Sequence, residues 1–135
     1  MPDLVRMGLA LVVFAHGVGH LLFLAPVIGL GNWAEQTGES WILTGAIGEP
    51  ATRVFATVLW SAVIVLFVAG VAGFLGGTEW WRTVTIAAAA LSAVGIVAFW
   101  GGVATSSALF ALIADAVIVG ALLVAHWPSA ELAGS

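Results

Sequence analysis

Four apolar runs of about 20 residues each constrain this chain more than any other feature, because at 1.5 Å rise per residue each is long enough to cross the hydrocarbon of a bilayer. In lipid the backbone polar groups of a segment must be satisfied within it, so each run is read as a helix. The first covers about Leu4 to Ala25 and is expected to stop at Pro26. The second starts at Pro50, a residue suited to a first helical turn, and runs to about Leu75 before Gly76-Gly77. The third spans residues 79 to 100, with Thr78 as candidate cap and Trp80 and Trp81 as interfacial markers. The fourth spans residues 105 to 127, with hydroxyls of Thr105, Ser106 and Ser107 to cap it and Pro128 to end it. The expected fold is all-α, a four-helix transmembrane bundle of up-down-up-down topology, forming a single membrane domain over residues 1–135 with both termini on the same side.

Charge supports the same class and excludes others. Only 7% of the residues are charged and 62% are hydrophobic, against roughly a quarter charged in soluble domains. Three arginines, no lysine and a net charge of −4 leave no basic surface for a phosphate backbone, so nucleic acid is not an expected partner. Cysteine is absent, which removes disulfides, thiolate nucleophiles and Cys-ligated metals together. Met1 to Arg6 before an apolar run imitates a signal peptide, but the run continues past two histidines and is read as a retained first span.

Orientation rests on the arginines. Arg6 and Arg82 share one side and Arg53 the other, so the positive-inside rule favours cytoplasmic termini in a multi-pass protein of the plasma membrane. The segment from Pro26 to Glu49, with Trp33, Glu35, Gln36, Glu39 and Trp41 among glycines, is expected to lie on the outer membrane surface. Arg6, Glu79 and Arg82 read as topology anchors and charge partners, and His126 beside Trp127 as an interfacial residue. Residues Ser129 to Ser135 read as a short polar tail. Small residues recur four apart at Gly73 and Gly77, Ala88 and Ser92, Ala89 and Ala93, and Ala116 and Gly120, a spacing that lets helices pack closely or self-associate.

The chemistry is carried by three ionisable residues at bilayer depth, His16, His20 and Asp115. Such groups are costly in lipid and mark functional sites by default. His16 and His20 are four residues apart, so their imidazoles lie about 40° apart on one face. Counting from the outer helix ends places His20 roughly 7 Å deep, His16 roughly 13 Å and Asp115 roughly 15 Å. On the second helix Arg53, Thr57 and Trp60 share a face and enter from the same side, which predicts an outward-opening polar pocket lined by helices one, two and four. The bland readings are a His–Asp pair that only sets helix register, and an Arg53 that snorkels to headgroups beside Glu49. Thr85, Ser92 and Phe99 on helix three form a seven-residue stripe that core packing explains.

Two imidazoles and a carboxylate are a ligand set for a divalent metal with open positions, which makes His16, His20 and Asp115 metal candidates as well as catalytic ones. The His-x-x-x-His string lacks the Glu of metalloprotease helices, since Gly17 stands there. Haem is disfavoured, because two histidines on one helix cannot reach opposite faces of one iron. Without a metal, His16 paired with Asp115 would act as a general base, with His20 or Arg53 stabilising developing charge on a lipophilic substrate from the bilayer. The leading expectation is a membrane protein that binds a lipophilic small molecule or ion in a pocket of Arg53, Thr57, Trp60 and the three ionisable residues. The alternative is a proton-linked transporter or an accessory subunit of a larger membrane complex.

The layout resembles that of small bacterial four-helix membrane proteins, broadly DoxX-like. The likeness lies in Arg6 near the start of helix one, the His16-Gly17-Val18-Gly19-His20 string, the Arg53 to Trp60 opening of helix two, Trp80-Trp81-Arg82, and Asp115. It implies four spans and carries no catalytic residue across.

Overall fold

The computed structural model describes residues 2–32 and 34–134; Trp33, expected at the membrane surface, lies outside them. Among the described residues the chain is helical and contains no strand. The helices are α1 (Pro2–Gly19), α2 (Leu21–Val27), α3 (Thr44–Ile47), α4 (Glu49–Leu75), α5 (Trp81–Ala98), α6 (Thr105–Val119) and α7 (Ala130–Ala133), with a π-helical turn over Gly120–Val124 after α6. Four helical stretches are long and apolar enough to cross a membrane: Pro2–Val27, Glu49–Leu75, Trp81–Ala98 and Thr105–Val124.

These bounds amend the sequence reading in several places. Pro26 sits inside α2 rather than ending it. Proline has no N–H to give to the carbonyl four residues back, and the Gln36 side-chain amide donates to that carbonyl, Leu22 O, at 2.9 Å. Thr78 does not cap α5; its hydroxyl donates back to Gly73 O at the end of α4, and Trp80 holds the cap position without a side-chain bond. Nor do Thr105, Ser106 and Ser107 cap α6, because the cap position falls on Ala104, whose N–H donates to Gln36 Oε1. Arg82 is not paired with Glu79. It donates to Leu122 O in the π turn and to Pro128 O beyond it. The expected polar tail instead forms α7, capped by Ser129 and burying Ala133 against Ala10, Phe74 and Trp81.

Packing follows a chain of neighbours: α1 and α2 on α4, α4 on α5, α5 on α6. The α4–α5 seam is the densest part, because large side chains of α4 enter notches of small ones on α5. Trp60 and Phe67 are fully buried, as are Ala88, Ala89 and Ser92 opposite. At Gly95 a Cβ would stand 2.7 Å from Leu59 Cδ2 and 3.1 Å from the Trp60 ring, so a larger residue there would make Leu59 shift. The α1–α6 side is different. Backbone contact between these two helices is sparse among the described residues, and the gap between them positions the site.

Candidate functional site

The geometry starts from a local break in the first helix. His20 N–H donates to Gly17 O rather than to His16 O, so one turn tightens and the ladder is interrupted between α1 and α2. The freed His16 carbonyl accepts from His20 Nδ1 at 3.0 Å, with Gly17 O a longer second acceptor at 3.3 Å. Carbonyl oxygens only accept, so Nδ1 carries a proton and the Nε2 lone pair of the neutral ring is directed away from α1. There it takes the hydroxyl of Ser92 on α5, at 2.7 Å.

One turn earlier, His16 Nε2 lies 2.7 Å from Asp115 Oδ1 on α6. Both side chains are enclosed, and the second carboxyl oxygen, Asp115 Oδ2, accepts no hydrogen bond although it is buried. A ring nitrogen from each histidine and a carboxyl oxygen of Asp115 all lie within 4.8 Å of one another. Aromatic walls hold the rings: His16 meets Phe67 edge-on at 5.0 Å between centroids, and His20 stacks on Phe67 at 5.8 Å and lies 6.0 Å from Trp60. Gly17 permits this, since a Cβ there would collide with the Cβ of Phe67.

Beside the cluster, between α1 and α6, lies a cavity of about 550 Å³. His16, Gly19 and His20 line one wall, and Ser106, Ser107 and Ala114 the other. Its rim carries the exposed apolar side chains Val12, Leu22 and Phe110, so in a bilayer the mouth would face lipid. A smaller apolar cavity of about 160 Å³ continues the gap toward Trp81 and Trp127, and Val12 borders both.

Of the sequence candidates, His16, His20 and Asp115 come together and Trp60 packs beside His20. Arg53 and Thr57 do not join them. The half-exposed Arg53 reaches Glu49 at 3.6 Å and Val27 O at 3.5 Å, and the Thr57 hydroxyl donates to Arg53 O in its own helix. His126 is exposed beyond the π turn. Ser92, Phe67, Ser106 and Ser107 are the participants that sequence reasoning passed over. Ser92 lay on a polar stripe whose partner could not be known, and the hydroxyls of Ser106 and Ser107 were assigned to capping. Ser92 is fully buried and does not line the cavity, so it orients His20 and is not placed to attack a substrate.

The site thus defines a helical protein with an imidazole–carboxyl cluster among its long apolar helices, beside a crevice between α1 and α6. No protein-family model matches the chain, and no curated protein or solved structure matches it either. Each role assigned to a residue therefore rests on its own position and chemistry.

Proposed function

We propose that this chain is a multi-pass membrane protein that binds a lipophilic small molecule in the crevice between α1 and α6, with His16 and His20 contacting its polar end. The observation that carries the reading is the 550 Å³ cavity, which combines an apolar rim with two imidazoles and two hydroxyls on its walls. That volume lies within the range of small-molecule sites, and an apolar pocket with a few convergent polar groups is their usual form. Acid–base chemistry on the bound molecule would fall to His16, whose pairing with Asp115 fixes the ring.

Up-down-up-down topology, with both ends of the chain on one side, is part of the same proposal. It is supported by Arg6 of α1 donating to Phe74 O and Leu75 O at the end of α4, and by Arg82 of α5 reaching the end of the fourth stretch. The positive-inside rule then puts Arg6 and Arg82 in the cytoplasm, for a protein of the plasma membrane. The span number and Arg6 fit the DoxX-like resemblance. The exposed Ala116 and the open side of Gly120 leave a small-residue face for self-association or for a partner chain.

The test is photocrosslinking in liposomes with a diazirine-bearing long-chain alcohol. Crosslinks should concentrate on the peptide carrying Phe110 and Ala114. Gly19→Phe, which points its new side chain into open space, should reduce them to the level of an outward-facing position. Uniform labelling of all four apolar stretches, unchanged by Gly19→Phe, would overturn the reading.

A further inference from the structure

We infer that His16, His20 and Asp115 form a binding site for one divalent transition-metal ion, of the zinc or ferrous iron class, at the inner wall of the crevice. Three observations converge on it. First, the donor set is two imidazoles and one carboxylate with their ligand atoms within 4.8 Å of one another, close enough for small side-chain rotations to bring them around one ion.

Second, Asp115 Oδ2 is buried with no hydrogen-bond partner. A buried carboxyl oxygen without a donor is costly, and the surroundings offer no arginine or lysine: the titratable groups grouped with it are the two imidazoles, while Arg6, Arg53 and Arg82 are engaged with helix-end carbonyls. A cation bonded to the carboxylate meets that need directly. Third, His20 already has the orientation characteristic of a metal ligand. Its Nδ1–H is held by the carbonyls of His16 and Gly17, which fixes the ring and makes Nε2, now accepting from Ser92, the lone-pair nitrogen before any ion arrives.

Ser92 is the group the ion would displace: its hydroxyl donates to His20 Nε2 in the present arrangement and must release it when Nε2 is engaged. Three protein ligands leave at least one coordination position for a further group, and both histidines border the crevice. The metal site stands apart from the lipophile proposal, since Gly19→Phe blocks the crevice and leaves all three ligands in place.

The experiment uses the full chain purified in detergent without chelators or a polyhistidine tag. It is stripped with a chelator and titrated with Co2+ as a spectroscopic probe and with Zn2+ as competitor. The expected result is about one equivalent of metal by mass spectrometry and visible Co2+ ligand-field bands that Zn2+ abolishes, for a three-ligand site. Asp115→Asn and His20→Gln should each weaken Co2+ affinity by more than about 100-fold, while Ser92→Ala, which removes a hydroxyl competing for His20 Nε2, should not weaken it. Absence of bands in the wild-type protein overturns the proposal, as does equal metal uptake by wild type, Asp115→Asn and His20→Gln. Helical circular dichroism and elution volume identify any variant that misfolds, and the wild-type titration decides the matter if both do.

Discussion

His16 Nε2 and Asp115 Oδ1 meet at 2.7 Å although 99 residues separate them, and this contact spans the one side of the bundle where helices are not packed together. The pair therefore ties α1 to α6 beside the crevice, while Ala10 of α1 and Leu122 after α6 share an apolar cluster further along the helices.

A double-mutant cycle on the pair should show strong coupling. We expect a coupling energy of about 1.5 kcal/mol between His16→Ala and Asp115→Ala, near the upper end for hydrogen bonds in lipid, because both groups are enclosed and the contact is short. Denaturation by SDS titration in mixed micelles measures it, and additive single-variant effects would count against the contact.

Gly17 and Gly19, two residues apart, should respond oppositely to added bulk. A Cβ at Gly17 meets Phe67, whereas one at Gly19 meets nothing within 4 Å. Gly17→Ala is expected to destabilise the protein by about 1 to 3 kcal/mol by forcing α1 from α4. Gly19→Phe should keep wild-type stability in the same titration while filling the crevice.

Ser92→Ala should cost about 1 kcal/mol, the scale of one buried hydrogen bond between membrane helices. The clearer readout is the His20 ring. Nitrogen NMR should retain the Nδ1–H signal, held by the backbone carbonyls, while the Nε2 resonance shifts on loss of its donor. A change in Nδ1 alone would contradict the assigned tautomer.

Gln36 ties the first long connection to two helix ends, through Leu22 O and the Ala104 N–H, and its own backbone N–H donates to Asn32 Oδ1. Gln36→Leu leaves a carbonyl and an N–H unpaired, a cost of about 1 to 3 kcal/mol each if they stay buried. Hydrogen exchange should quicken at Ala104 and across residues 34–43, with α4 and α5 unaffected. Unchanged exchange at Ala104 would show that another acceptor replaces Gln36.

The helices and the ionisable trio were legible in advance for one reason: lipid removes the option of solvating polar groups, so an apolar run declares its conformation and a charge within it declares its importance. The caps and anchors were less legible. Thr78, Thr105 and Ser107 have the right chemistry for capping, yet each helix start is set by where the preceding turn releases the chain, and Gln36 supplies the α6 contact from 68 residues away. Arg53 and Thr57 share a helix face with Trp60, but only Trp60 reaches the cluster, because the face turns toward α2 at the Arg53 end.

By itself, then, the order of amino acids determined four apolar helices and three ionisable groups placed where lipid penalises them, since length and hydropathy act locally along the chain. Only the tertiary structure decided that Ser92 donates to His20, that Arg82 serves carbonyls instead of Glu79, and that α1 and α6 stay apart around a crevice. Those outcomes depend on which faces meet, and facing is set by packing Trp60 and Phe67 into the small residues of α5, a condition distributed over several helices at once.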